Sequence, residues 1–309
     1  MKVSNNFFNS NEKNSKGKIM HKYFQFLFIT IFLCMNFLLF YTYCEAKKYE
    51  LCICAIFQNE APYLKEWIDY HKKVGVNHFY LYNNNSIDDY KEILRPYVEE
   101  GYVELIEWPS KQQENDWEHF SFSIQTNAYT DAIHRSTNKT KWLAIIDIDE
   151  FIIPMKDKTI FEALENNFKN ASGVCVNWQC YGTSNIFLKS NESILKYLLY
   201  KLPKDHPKNL YFKSIIQPIH VIRCSNPHLC DYKRGHWHLN TNHEVIESQN
   251  TGVYIDILRI NHYWTRDESF LQNIKVPRYE KWGISAEETL KSAEEMNQIY
   301  DPILLNKQI

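Results

Sequence analysis

The sequence predicts an α/β fold, a mainly parallel sheet wound with helices, in one domain over residues 51–309. Three observations predict it. Apolar runs at 51–57, 78–82 and 142–146 have the length and lack of polar alternation of strands covered on both faces. Stretches with apolar residues at helical spacing separate them, so strand and helix alternate. Neither GxGxxG nor a P-loop accompanies the pattern, which removes the dinucleotide and nucleoside-triphosphate fingerprints.

Each element has a local reason. Leu51-Cys-Ile-Cys-Ala-Ile-Phe57 is the first strand. Asn59-Glu-Ala-Pro62 follows, with a capping residue and a Pro suited to a first helical turn. Leu64, Trp67, Ile68, His71 and Val74 then recur at helical spacing, and Gly75 is placed to end that helix. His78-Phe-Tyr-Leu-Tyr82 is the second strand, followed by the polar loop Asn83-Asn-Asn-Ser86 and by Asp88, read as the next N-cap. Ile93, Leu94, Tyr97 and Val98 mark a second helix closed by Gly101, and Tyr102-Val-Glu-Leu-Ile-Glu107 is a third strand. A loop rich in Gln, Asn and Trp leads to a helix over 120–134. Further on, an apolar strand is expected over 253–260 and helices over 266–282 and 285–300, the last opened by a capping box of Ser285 and Glu288.

The stretch richest in chemistry is Trp142-Leu-Ala-Ile-Ile-Asp-Ile-Asp-Glu-Phe-Ile-Ile-Pro154. A buried strand that stops on Asp147 and Asp149, with Glu150 beside them, puts hard oxygen ligands at a sheet edge, where a divalent cation can sit. Ligands of α/β proteins bind at that same edge. A lone D-x-D also arises as a plain strand and polar turn, so the surrounding sequence decides.

Three segments carry a resemblance. Cys54-Ala-Ile-Phe-Gln-Asn-Glu-Ala-Pro-Tyr-Leu-Lys-Glu-Trp-Ile-Asp-Tyr-His71, Phe79-Tyr-Leu-Tyr-Asn-Asn-Asn-Ser86 and Lys141-Trp-Leu-Ala-Ile-Ile-Asp-Ile-Asp-Glu-Phe151 resemble glycosyltransferase family 92. The likeness continues through Trp178, Gly182, Ser184, Lys213 and Pro218 to Asn261-His-Tyr-Trp264. Where that likeness would put a Lys-Ser pair after the His-Tyr, this chain has Arg266-Asp267. The resemblance implies a GT-A type nucleotide-sugar-binding fold and transfer of a hexose, by analogy galactose, from a UDP-sugar to a glycan acceptor with inversion. It implies Mn²⁺ or Mg²⁺ on Asp147 and Asp149, bridging the donor phosphates as a Lewis acid. His262, expected to emerge at a strand end, would complete that shell, against the plainer role of a core histidine beside Tyr263 and Trp264. Asn59, Glu60, Asn83 and Asn85, just past the first two strands, would join Asp147 in holding the nucleotide sugar; capping and turn formation are their ordinary roles. Inversion needs a base on the acceptor hydroxyl. The residues do not identify it; Glu244 and Asp231 are carboxylates in the right half, though surface positions suit them equally.

The N-terminus reads separately. Residues 23–44 carry no charge over 22 positions, enough to span a bilayer. Five lysines against one glutamate lie upstream, which places a cytosolic tail at 1–22, a membrane anchor at 23–44, a short stem at 45–50 and the domain outside the cytosol. A cleaved signal peptide ending near Ala46 is the competing reading. With a nucleotide-sugar donor this orientation implies a single-pass type II protein of the Golgi membrane, if the source is eukaryotic. Asn84, Asn138, Asn170 and Asn191 head sequons. Cys52 and Cys54 read as inert core thiols, Cys224 and Cys230 as a pair able to close a disulfide, and Cys175 with Cys180 as a weaker pair. Residues 206–262 hold seven histidines at spacings that match no zinc pattern.

A formal net charge of −2 gives no footprint for nucleic acid. Two other functions compete with the transferase: a catalytically inactive, lectin-like glycan-binding protein on the same fold, and a nucleotidyltransferase. The intact aspartate pair argues against the first. The second would want a basic phosphate loop, and 54–60 has no basic residue.

Overall fold

A computed structural model describes residues 47–110, 117–189, 192–248 and 251–307, together with Phe26, Leu27 and residues 29–32. The chain separates into two compact units, Met1–Ala46 and Lys47–Ile309. Most of the anchor expected over 23–44 lies outside the described residues; its described part is helical. Among the described residues, no helix is long and apolar enough to cross a membrane.

The strands are β1 Tyr49–Phe57, β2 His78–Asn83, β3 Val103–Glu107, β4 Thr140–Ile145, β5 Glu150–Pro154, β6 Gly173–Cys180, β7 Tyr200–Lys201, β8 Phe212–Ile216, β9 Val221–Cys224, β10 Cys230–Tyr232, β11 His238–Asn240, β12 Leu258–His262 and β13 Ile299–Tyr300. The principal helices are α1 Ala61–Lys73, α2 Tyr90–Glu99, α3 Thr126–Ser136, α4 Ile160–Phe168, α5 Val276–Lys281 and α6 Ala286–Glu294. Nine strands form one sheet in the order β3-β2-β1-β4-β8-β6-β12-β5, with β11 joined to β6. The first half is parallel as expected, but β8 runs antiparallel to both β4 and β6, and β5 antiparallel to β12. The sheet is therefore mixed.

Strand alternation divides the core. Leu51, Ile53, Ala55 and Phe57 of β1 face one apolar cluster with Leu64, Trp67 and Ile68 of α1, while Cys52, Cys54 and Ile56 face another with Ala128, Tyr129 and Ile133 of α3. Helix α1 ends as its sequence suggests. Gly75 has φ +98°, and a Cβ there would lie 2.9 Å from the Thr159 Cβ. The α1 N-terminus departs from expectation: Asp88, read as the cap of α2, instead accepts the Ala61 N–H at 2.8 Å.

One buried contact fixes where the sheet edge lies. His71 of α1 is fully buried, its Nδ1 is 2.9 Å from the Trp67 carbonyl, and its Nε2 accepts the Ile152 N–H of β5 at 3.3 Å. A ring that donates at Nδ1 and accepts at Nε2 is neutral. Trp67 adds an indole N–H to the Glu150 carbonyl at 2.8 Å. Together these two α1 side chains hold the start of β5.

Other expectations are corrected. The 120–134 helix opens as a π-helical turn, Phe120–Gln125, before α3. The apolar strand over 253–260 is displaced to β12, so His262 is its last residue. The 266–282 helix is broken into the turn Glu268–Phe270, a π-helical turn Leu271–Lys275 and α5. At Ser285 the side chain accepts the Glu288 N–H, whereas the full reciprocal box forms at Thr159 and Glu162. Cys175 and Cys180 share β6 five positions apart, so they face opposite sides of the sheet roughly 16 Å apart and cannot pair. Cys224 and Cys230 are buried opposite one another across β9–β10, with sulfurs 3.1 Å apart and unbonded.

Candidate active site

Strand direction brings the site residues together. β1, β2 and β4 are parallel, so the chain following each leaves at one sheet edge. Two antiparallel steps through β8 return β6 to the β4 direction, and β12 is parallel to β6, so His262 ends at that edge too. β5 runs back from it, and register pairs His262 with Glu150. Asp149 therefore sits beside His262, and its carbonyl accepts the Tyr263 N–H at 2.8 Å.

At this edge lies a cleft of about 800 Å³. Asp147, Asp149 and His262 line it, as do Asn59, Glu60 and Asn85. Asn83, Glu244 and Asp231 do not. Asn83 is buried and spends its amide on the Tyr90 hydroxyl and the Glu107 carboxylate, so its role is to hold the β2 loop. Glu244 is exposed in a turn against Asn240 and Asn242, and Asp231 pairs with Arg223 at 2.7 Å on the β9–β10 hairpin. Both are withdrawn as base candidates. The Asn84 sequon is also blocked, because that side chain is buried on Trp108 and Ser110.

The two aspartates have different surroundings. Asp147 accepts three hydrogen bonds: from Gln125 at 3.0 Å and the Tyr129 hydroxyl at 2.8 Å on Oδ1, and from the Lys213 ammonium at 2.7 Å on Oδ2. Lys213 comes from β8, has a side chain only 1% exposed, and also lies 3.8 Å from Glu150. Burial alone would lower the Lys213 pKa; Asp147 and Glu150 reverse this and hold it above its ordinary value. Glu150 is fully buried, and burial raises its pKa well above the usual carboxylate range against the pull of Lys213.

Asp149 also lines the cleft, with longer contacts. His262 Nε2 lies 3.7 Å from its Oδ1 and Lys275 Nζ 4.0 Å from its Oδ2. Burial would raise its pKa, but His262, Lys275 and Arg266 hold it well below the usual range. Burial in turn brings Lys275 down to about 8. Asn59 and Asn85 both adopt left-handed backbone, a conformation Asn tolerates, and Asn59 ties the β1 and β2 loops through Ser86 and Ile87. Glu60 is locked by Arg266 at 2.7 Å.

A cation suits one part of this set. Among the described residues, no three His, Cys, Asp or Glu side chains converge as a self-sufficient metal cage. Asp149 and His262 do present two open donors on the cleft, and a hard divalent ion held by one or two protein ligands takes its remaining ligands from substrate phosphates and water. His262 Nδ1 is buried without a partner, so Nε2 is the nitrogen directed at Asp149. Asp147 lines the same cleft with its side chain 32% exposed, and Lys213 is the hydrogen-bond partner of its Oδ2.

A sequence model of glycosyltransferase family 92 matches residues 47–299. The chain belongs to glycosyltransferase family 92. A family 92 protein of Ricinus communis is 25% identical over 224 residues, 70% of this chain and 36% of that protein. Galactan beta-1,4-galactosyltransferase GALS3 of Arabidopsis thaliana is 31% identical, over 39% of this chain and 25% of its own. Beta-1,4-galactosyltransferase galt-1 of Caenorhabditis elegans is 30% identical, over 40% of this chain and 29% of its own. The chain thus spans little more than a third of the length of these relatives, or less.

Sequence reasoning missed Gln125, Tyr129, Lys275 and Arg266 as parts of the site, and quoted Lys213 without a role. A signal existed for Lys213: a lysine inside the apolar strand Phe212-Lys-Ser-Ile-Ile216 needs a buried counter-charge. Lys275 and Arg266 gave none, because a broken helix and a left-handed residue place them.

Proposed function

We propose that this family 92 member transfers a hexose from a UDP-sugar to a glycan hydroxyl, with galactose the first sugar to test because two relatives are named galactosyltransferases. The observation that carries the reading is Asp149 and His262 side by side on the lining of the cleft, with Lys275 4.0 Å from Asp149. A departing nucleoside diphosphate gathers negative charge, which Lys275 and a cation on Asp149 and His262 would offset. Asp149 and His262 would hold Mn²⁺ or Mg²⁺, which when bound supplies Lewis-acid stabilisation of the diphosphate. Asp147 positions: clamped by Lys213, Gln125 and Tyr129, it fixes the turn that presents Asp149. Asn59, Glu60 and Asn85 offer hydrogen bonds to base and ribose, and Lys275 and Arg278 offer charge to the phosphates. In the inverting reaction the acceptor oxygen bonds to the anomeric carbon as the carbon–diphosphate bond breaks, and the acceptor proton leaves to a base. The GT-A assignment rests on the family likeness. The uncharged stretch at 23–44 behind its lysines supports a type II anchor with the catalytic unit in the Golgi lumen.

The test is UDP release from a panel of UDP-hexoses with Mn²⁺ and mixed oligosaccharide acceptors. Release that needs both acceptor and cation, and is lost in Asp149→Asn, is expected. Glycan binding that persists in EDTA with no release from any donor would favour the lectin-like alternative.

A further inference from the structure

The C-terminal wall of the cleft carries apolar surface that the fold does not use. Trp264, Tyr279 and Trp282 line the cleft in sequence. The Trp264 indole N–H donates to the Tyr279 hydroxyl at 2.9 Å, and the Trp264 and Tyr279 rings meet edge-on at 5.3 Å. Tyr279 in turn packs on Trp282, centroids 5.1 Å apart. Trp264 is anchored in two packed apolar clusters, but neither Tyr279 nor Trp282 belongs to any cluster among the described residues. The Trp282 backbone is pinned, its N–H on the Tyr279 carbonyl at 3.0 Å and Gly283 beyond it at φ +83°. A large ring held in place, partly buried and lining a polar cleft is organised for a ligand with an apolar face.

The geometry points to Trp282, positioned by Tyr279 and Trp264, as the platform on which the acceptor sugar ring stacks. A pyranose fits because one face is C–H and its rim is hydroxyl. This rests on the transferase reading above and goes beyond it by assigning the acceptor side. Lys275, next to Asp149, marks the phosphate end of the same wall. Trp282 lies seven residues on, which at helical rise is about 10 Å, the reach of one transferred sugar and the ring that receives it. The competing occupant is uracil. The polar contacts suited to a base and ribose, Asn59, Asn85 and Ser110, lie instead on loops after β1, β2 and β3.

The test uses the full chain with Mn²⁺, titrating UDP first and then lactose, cellobiose and chitobiose in saturating UDP, read by tryptophan fluorescence and calorimetry. The wild type is expected to bind at least one disaccharide, Trp282→Ala to weaken that binding by about 10-fold or more, and Trp282→Phe to recover most of it, with UDP affinity moving less than about twofold in both. Equal disaccharide affinity in Trp282→Ala, no binding of any of the three to the wild type, or a parallel loss of UDP affinity that assigns the ring to uracil would each overturn the inference. Absence of UDP binding in the wild type would instead overturn the transferase reading.

Discussion

Acidification should unfold this protein through His71, and the size of the effect follows from the structure. The ring is fully buried, donates to Trp67 and accepts from Ile152, so the folded chain has no place for a second ring proton. Burial lowers its pKa from 6.5 to about 3. The unfolded chain takes up a proton below 6.5 and the folded chain does not until about 3, so stability is intact above 6.5 and is lost as pH falls through that window. At 1.36 kcal/mol per pKa unit the whole difference is roughly 5 kcal/mol, of which roughly 2 is lost by about pH 5. His71→Gln removes the titration and keeps an acceptor near the Ile152 N–H; at about pH 7.5 it should cost roughly 1–2 kcal/mol. Urea unfolding of both proteins between about pH 7.5 and about pH 5 is the assay. The wild-type advantage should shrink by roughly 2 kcal/mol across that range. Parallel stability curves would refute the reasoning, because the other buried histidines titrate alike in both proteins.

Other outcomes follow from the same contacts. Asp149→Asn should reduce UDP-hexose turnover by about 100-fold or more, with EDTA reproducing that loss in the wild type, and should also lower the urea midpoint, because His262, Lys275 and Arg266 favour the ionised carboxylate in the folded chain; EDTA-resistant turnover would remove the cation. Lys213→Met strands Asp147 and Glu150 and should destabilise by roughly 3–5 kcal/mol, read by urea unfolding, with wild-type stability as the refuting result. Glutathione disulfide should link Cys224 to Cys230 by thiol–disulfide exchange, losing two titratable thiols and adding roughly 2 kcal/mol of stability; Cys224→Ser should abolish both changes, and thiols unaltered in the native wild type would count against it.

The parallel half of the fold was legible because its elements are local. β1, α1, β2, α2 and β3 each announce themselves by an apolar run, a helical period and a terminating Gly. The antiparallel half was not. β5 is written in the same apolar string as β4, and nothing in Glu150-Phe-Ile-Ile-Pro154 says that it crosses to the far edge to pair with β12. The site divided in the same way. Asp147, Asp149 and the Asn59 and Asn85 loops follow strand ends and could be placed from sequence, and a His at the end of a later strand could be proposed. Their counter-charges could not, since Lys213, Lys275 and Arg266 come from β8, a π-helical turn and a left-handed residue. Cys175 and Cys180 failed for a related reason: closeness in sequence within one strand is distance in space.

Those counter-charges explain why adjacent aspartates can do different things. Three carboxylates at 147, 149 and 150 would repel one another strongly if left alone at a dry sheet edge. Lys213 answers two of them, Asp147 and Glu150, and is itself almost inaccessible. Asp149 answers to a different set: His262 Nε2 lies 3.7 Å off and Lys275 Nζ 4.0 Å off, the latter on a segment of broken helix. An ion or a diphosphate entering the cleft can displace these longer contacts without breaking the 2.7 Å contact of Lys213 with Asp147. β4 has already ended at Ile145, so the two aspartates stand on a turn braced by the Asp147 N–H on the Glu150 carboxylate, and both line the cleft. Asp147 is held by short hydrogen bonds and Asp149 by longer ionic contacts, with α1 holding the turn through Trp67 and His71 at the start of β5.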